Sequence, residues 1–163
     1  MTIEPGQPIP SVPVKHVTES GITDATSADI LGSGTVVFFT VPGAFTPTCH
    51  LNHLPGYLAT AADLKAAGVD KIVCGTVNDH HVVKAWAEAS GALGTLEFIA
   101  DGLGKLAAEL GLERDLSAGG LGVRFTRSSL LIRNGIVEAV NVEGAPGEVT
   151  SSGAPAMLEA LSA

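Results

Sequence analysis

The chain has 163 residues, of which 45% are hydrophobic and 16% are charged, a composition that fits one globular domain with a buried core and excludes an intrinsically disordered chain. Its formal net charge is -8 at pH 7, which argues against nucleic acid and anionic membranes as partners. No apolar stretch approaches the roughly 20 residues that a membrane-spanning helix needs.

In the first half of the chain, a loop that contains a cysteine connects a predicted strand to a predicted helix. After the Pro-rich arm "EPGQPIPSVPV", residues 14–18 form a predicted short strand. The apolar and β-branched run "GTVVFFTV", residues 34–41, is typical of a strand buried on both faces. The loop that follows contains Cys49, and from about residue 49 to 67 leucines and alanines recur at helical spacing.

The second half alternates strands and helices and ends in a hairpin. The predicted elements are a strand at "DKIVCGTVND", a helix at "HHVVKAWAEASG" ended by Gly91, a strand at "LEFIAD", a helix at "GKLAAELG", a hairpin at "SSLLIRNGIVEAVNV" and a last helix at "APAMLEALS". Asn134 and Gly135 predict a type I′ turn in the hairpin. This order predicts an α/β protein, with residues 1–163 forming a single domain of thioredoxin-like fold that has a central mixed sheet and helices on both faces.

Cys49 lies where the loop becomes a helix, within "VPGAFTPTCH". Backbone N–H groups and the positive end of the helix dipole favour an anion there, so the position favours a thiolate nucleophile. Pro42 and Pro47 stiffen the loop. Thr46 precedes the cysteine by three residues, a spacing that can bring its hydroxyl beside the sulfur in a first helical turn.

The pattern of Pro42, Thr46 and Cys49 resembles the active-site motif of the peroxiredoxins, and "VPGAFTPTCHLNHLPGY" resembles their type II, or peroxiredoxin-5-like, branch. The segments "VNDHHVVKAW" and "LGVRFTRSSLLIRNGIVEAVNVE" also resemble that branch, so the resemblance extends from about residue 36 to 143. It implies that Cys49 is the peroxidatic cysteine, that Thr46 and Pro42 shape its pocket, and that an arginine polarises the peroxide.

Two arginines compete for that last role. Arg127 is preferred because it stands directly before the apolar strand "SSLLI", as the family's arginine does, and Arg124 is the alternative. Arginine is always charged and presents donors in a fixed fork, so it can stabilise both a thiolate and the charge that develops on the leaving oxygen.

Histidines near Cys49 raise a second interpretation. Cys49 and His53 are four residues apart and share a helix face, but zinc needs three or four ligands, and the "DHH" at residues 79–81 would have to fold back to supply them. We therefore expect neither metal nor cofactor, and expect His53 to pack or hydrogen-bond near the loop. His50 departs from the small polar residue that is common in the branch, and it either tunes the thiolate and its access or faces solvent.

Cys74 is the only other cysteine, in the apolar strand "KIVCGTV". It is expected to be a buried, inert thiol, although a role as resolving cysteine stays open. Animal-like members of the branch carry their resolving cysteine in a segment that matches "EVTSSGAP", where this chain has Ser151. Serine cannot form a disulfide, so that route is closed.

The resemblance implies a thiol-dependent peroxidase that reduces hydrogen peroxide and alkyl hydroperoxides, is recycled by an external thiol (glutathione with glutaredoxin, or thioredoxin) and forms a homodimer. Rival functions are a peroxide sensor or holdase of the same fold without significant turnover, and a cysteine hydrolase with a histidine base. "MTIEPGQPIP" shows no secretory signal, so the expected compartment is the cytoplasm.

Overall fold

A seven-stranded sheet forms the centre of the computed structural model, which describes residues 1–162. The strands are β1 (Pro13–Thr18), β2 (Gly21–Thr26), β3 (Thr35–Val41), β4 (Lys71–Thr76), β5 (Glu97–Ala100), β6 (Glu113–Asp115), β7 (Val123–Phe125), β8 (Ser128–Arg133) and β9 (Ile136–Val142). The sheet order is β2-β1-β5-β4-β3-β8-β9, and β6 and β7 form a separate two-stranded ribbon. The three central strands are parallel, while β1 and β8 are antiparallel to their neighbours, so the sheet is mixed as predicted.

Helices cover both faces of this sheet. They are α1 (Ser27–Leu31), α2 (Leu54–Ala66), α3 (His80–Ala89), α4 (Lys105–Leu110) and α5 (Ala154–Ser162). One apolar core lies between the sheet and α2, α3 and α5, and a second lies between the opposite face and α1 and α4. Alternate residues of β3 enter the two cores, because side chains along a strand point to opposite faces. No helix in residues 1–162 is long and apolar enough to cross a membrane.

The hairpin between β8 and β9 confirms the turn prediction. Asn134 and Gly135 have φ values of 49° and 80°, and the two strands pair antiparallel around them. Both central residues of a type I′ turn need positive φ, which asparagine and glycine adopt at the lowest cost.

Strand β2 and helix α1 were not predicted. The sequence of β2, "GITDAT", has little apolar alternation because the strand is at the sheet edge, paired only with β1. Helix α1 is only five residues long, but it begins with a capping box in which Thr26 and Asp29 exchange hydrogen bonds. That motif is a signal from which the helix could have been found.

Candidate active site

The loop after β3 leads into a wide helical turn that contains Cys49. Residues Cys49–His53 form a π-helix that continues directly into α2. The Leu54 N–H bonds to the Cys49 carbonyl, and Pro55 at the start of α2 has no N–H to donate to residue 51. The predicted helix beginning at residue 49 therefore exists, but its first turn is wider than an α-helical turn. Cys49 is 0% exposed, so its sulfur is shielded from solvent.

Among the described residues, three hydrogen bonds that involve side chains fix the loop that precedes Cys49. The Arg124 Nη1 donates to the Pro42 carbonyl at 3.1 Å, and the Ala44 N–H donates to Asn78 Oδ1 at 2.9 Å. The Thr46 hydroxyl donates to the Gly43 carbonyl at 2.7 Å. Arg124 thus supports the backbone of the loop and, in the described residues, makes no hydrogen bond to the Cys49 sulfur.

The position of Thr46 differs in part from the expectation. Its hydroxyl proton is used within the loop, and in the described residues it makes no hydrogen bond to the Cys49 sulfur. The oxygen keeps its lone pairs, since a hydroxyl has one donor and two acceptor sites. Thr46 is half-buried, so this oxygen is available as an acceptor to a group that enters the site.

Arg127 reaches the sulfur from the other side of the site. It precedes β8 directly, and its side chain is buried. Its Nη2 donates to Cys49 Sγ at 3.0 Å, its Nη1 contacts His53 Nδ1 at 3.0 Å, and its Nε donates to the Pro146 carbonyl at 2.8 Å. Within residues 1–162 no carboxylate forms an ion pair with it. A buried cation needs a compensating charge, and a Cys49 thiolate supplies one.

His53 is a neutral acceptor for Arg127. Its ring is 1% exposed and packs against Phe39 and Tyr57 at centroid distances of 5.0 and 5.6 Å. Burial lowers the pKa of His53 from 6.5 to about 4, against the opposing effect of its hydrogen bond with the Ser152 carbonyl. Its Nε2 lies 3.0 Å from that carbonyl and must donate to it, so its Nδ1 is free to accept from Arg127. The sequence predicted only that His53 would pack or hydrogen-bond near the loop.

We expect the free energy of unfolding to fall as pH is lowered from 6.5 to about 4, the two pKa values of His53 when unfolded and folded. Between pH 6.5 and about 4, His53 binds a proton in the unfolded chain but not in the folded chain. The stability that neutral His53 gives the folded state is therefore fully present above pH 6.5 and is lost as the pH falls toward 4. The loss is on the order of 3 kcal/mol. Urea unfolding at a series of pH values measures it. His53→Gln should flatten this pH dependence, whereas a matched change of an exposed histidine, His81→Gln, should not; an equal slope in both variants would contradict the assignment.

His50 does not simply face solvent. Its Nδ1 accepts a hydrogen bond from the Trp86 indole N–H at 3.1 Å, and its ring tilts against Phe45 at 5.6 Å. Since Trp86 lies on α3, the bond ties the turn that holds Cys49 to a second helix.

Cys74 is fully buried in β4, between Phe39 of β3 and Phe98 of β5. Burial raises the pKa of Cys74 well above its ordinary value, and the charge on Cys49 adds to this. A thiol that is hard to ionise is a poor nucleophile. The environment therefore fits the expected inert thiol.

Two alternative chemistries find little support in this geometry. A cysteine hydrolase needs a histidine base at the sulfur, but Arg127 is the only group in the described chain that hydrogen-bonds to Cys49 Sγ. His53 and His50 instead bond to Arg127 and Trp86. Within residues 1–162, no group of three or more His, Cys, Asp or Glu side chains is arranged to hold a metal ion.

Sequence comparison places these features in a known family. Residues 4–158 match the family model described as Redoxin. The chain is 41% identical to Peroxiredoxin-2D of Arabidopsis thaliana over 157 residues, which cover 96% of both chains. It is 50% identical to Peroxiredoxin-2C of Oryza sativa subsp. japonica over 126 residues, or 77% of both chains.

Structure comparison agrees with the sequence matches. Reduced Prx3 from Vibrio vulnificus, solved in complex with H2O2, superimposes with a TM-score of 0.91 at 42% sequence identity. The alignment covers 98% of this chain and 99% of that one. The chain is thus similar to this protein over almost its whole length.

Proposed function

This chain belongs to the redoxin family and is a thiol-dependent peroxidase of the peroxiredoxin type, and on that basis we propose that Cys49 is the nucleophile that attacks the peroxide. The observation that carries the proposal is the 3.0 Å contact between Cys49 Sγ and Arg127 Nη2, made by an arginine without a carboxylate partner in the described residues. A similar protein, the Vibrio vulnificus Prx3, was solved with hydrogen peroxide bound, which supports hydroperoxides as the substrate class.

In the proposed first step, the Cys49 thiolate attacks one peroxide oxygen, an S–O bond forms and the O–O bond breaks. Cys49 is oxidised to a sulfenic acid, and the leaving oxygen departs as water or an alcohol after taking up a proton. Arg127 has the role of stabilising first the thiolate and then the negative charge on the leaving oxygen. Because its fork is already fixed by His53 and the Pro146 carbonyl, it needs no reorganisation when charge develops.

Thr46 and Pro42 are proposed to shape the space that the peroxide enters. Since the Thr46 hydroxyl donates to Gly43, its oxygen is proposed to accept a hydrogen bond from the peroxide O–H. Pro42 is buried, and its carbonyl is held by Arg124. These two residues therefore orient the substrate and do not react with it.

Recycling is proposed to use an external thiol, with glutathione and glutaredoxin or thioredoxin as reductant. The first thiol attacks the Cys49 sulfenic acid and releases water, leaving a mixed disulfide. A second thiol then reduces that disulfide and restores Cys49. The sulfur is 0% exposed, so this step requires the π-turn to open.

The test of this function is peroxide consumption under two reducing systems, glutathione with glutaredoxin and thioredoxin with its reductase. Multiple turnovers with either system support the recycled enzyme, and the faster system identifies the reductant class. One oxidation event per chain with both systems would instead favour a sensor or holdase.

Cys74→Ser is expected to retain most turnover. A disulfide requires Cα atoms about 4.4–6.8 Å apart, and Cys74 sits in the central strand β4 with paired strands on both sides. Forming the bond would disturb the pairing of this central strand as well as the turn at Cys49, whereas an external thiol needs only the turn to open. Mass spectrometry after peroxide treatment should find sulfenic acid or a mixed disulfide on Cys49. A dominant Cys49–Cys74 disulfide together with lost turnover in the variant would make this a two-cysteine enzyme.

We also propose that the chain acts as one catalytic domain and assembles as a homodimer. The cytoplasmic compartment stays a proposal as well, because relatives at 42% and 41% identity are named as mitochondrial and chloroplastic proteins. Size-exclusion chromatography with light scattering tests the assembly.

A further inference from the structure

A buried carboxylate lies next to the site, at a position that the mechanism above does not use. Glu143 follows β9 directly and is 4% exposed. It accepts five hydrogen bonds from three consecutive residues: Thr150 N at 2.6 Å, Thr150 Oγ1 at 2.6 Å, Ser151 Oγ at 3.3 Å, Ser152 N at 3.3 Å and Ser152 Oγ at 2.7 Å. Burial raises the pKa of Glu143, but these hydrogen bonds outweigh it and hold the pKa at about 2. The carboxylate is therefore charged at neutral pH and closes residues 144–152 into a loop, which we call the Glu143 loop.

Two carbonyl groups of the Glu143 loop point at the site. The Ser152 carbonyl accepts from His53 Nε2 at 3.0 Å and from the Tyr57 hydroxyl at 2.8 Å. The Pro146 carbonyl accepts from Arg127 Nε at 2.8 Å. At the other end of the loop, the Glu143 N–H donates to the Arg127 carbonyl at 2.9 Å. Arg127 and His53 thus each hydrogen-bond to a carbonyl group of this loop.

We propose that Glu143 is a positioning residue of the peroxidase: its carboxylate folds the Glu143 loop so that the Pro146 and Ser152 carbonyls aim Arg127 and His53, and through them fix Arg127 Nη2 on the Cys49 sulfur. This inference rests on the proposed roles of Cys49 and Arg127. The physical reason is that the N–H donors of a guanidinium lie in one rigid plane. If Nε loses the Pro146 carbonyl as its acceptor, the whole group rotates and Nη2 moves from its position at the sulfur.

The test is Glu143→Gln, which keeps the shape but replaces one acceptor oxygen with an NH₂ that faces the donors of residues 150–152. We expect peroxide to oxidise Cys49 about tenfold more slowly in a single turnover. We also expect the ultraviolet absorbance of the Cys49 thiolate to develop at higher pH than in the wild type. The matched control is Glu138→Gln, on strand β9 five residues before Glu143, where the carboxylate is exposed and pairs with Arg133. That control should leave both measurements unchanged.

Ser152→Ala provides a second test in case Glu143→Gln fails to fold. It removes only the hydroxyl bond to Glu143 and keeps the carbonyl that bonds to His53. The same two measurements should move in the same direction, by less. Combined with Arg127→Lys, the variant should slow the reaction by less than the product of the two separate effects, because both act through the guanidinium.

A purely structural role for Glu143 would lower the urea midpoint and leave the thiolate titration and the single-turnover rate at wild-type values; that result in both variants would overturn the inference. A wild-type rate in Arg127→Lys would instead overturn the proposed site itself. If Arg127→Lys reacts slowly while Glu143→Gln and Ser152→Ala react at the wild-type rate, the proposed site stands and only the role of Glu143 is refuted.

Discussion

Cys49→Ser is expected to abolish peroxide turnover and to leave the fold intact. A serine hydroxyl is not ionised at neutral pH, so the variant has no nucleophile to attack the O–O bond. The Arg127 Nη2, 3.0 Å from the sulfur in the wild type, can still donate to the smaller hydroxyl oxygen, so the buried cation keeps a partner. Peroxide consumption with an excess of reductant measures the loss, and circular dichroism with urea unfolding checks the fold.

The matched control for Cys49→Ser is Cys74→Ser, the same chemical change at a second buried thiol. Wild-type turnover in Cys49→Ser would refute the assignment of the nucleophile. Cys49 lies in the core between the sheet and helices α2, α3 and α5. If only Cys49→Ser loses its fold in the urea unfolding curves, the sulfur has a structural role in that core.

Arg127→Lys should slow peroxide attack by about tenfold or more. Lysine keeps the charge but places it on one ammonium, which cannot contact Cys49, His53 and the Pro146 carbonyl together as the guanidinium does. His53 Nδ1 would then lose its donor in a buried site, which adds to the cost. Stopped-flow oxidation of the reduced protein by peroxide gives the rate directly.

Arg124→Lys is the comparison that decides between the two arginines. Arg124 contacts the loop through the Pro42 carbonyl and makes no hydrogen bond to the sulfur in the described residues, so its variant should keep a much larger share of the rate. If Arg124→Lys is crippled while Arg127→Lys reacts normally, the polarising arginine has been misassigned.

The fold could be predicted where apolar patterns were long. The buried strands β3 and β4 and the helix α3 were all found, because burial on one or both faces imposes a pattern on the sequence. The edge strand β2 and the π-turn at Cys49 were not found. A strand with one neighbour is under little hydrophobic constraint, and a wide turn follows from Pro55 and tertiary packing more than from local spacing.

Only the residues proposed to act on the peroxide could be predicted from the sequence. Cys49, Thr46, Pro42 and Arg127 come from the motif and the family resemblance, and their catalytic roles stay predictions. The neutral state of His53 could not be predicted, because it results from burial and from the carbonyl of a residue that is 99 positions away in sequence. Glu143 had no signal either, since a glutamate after a strand usually faces solvent.

The bond between His50 and Trp86 gives the protein a built-in optical probe. Trp86 is the sole tryptophan of the chain, so the indole emission comes from one ring. That ring is fully buried and is one hydrogen bond from the residue after Cys49. If the π-turn opens, His50 would separate from the indole and water would reach the ring, so the intensity and wavelength of the Trp86 fluorescence should change. Each stage of the redox cycle that moves this turn can thus be followed in real time without any attached dye.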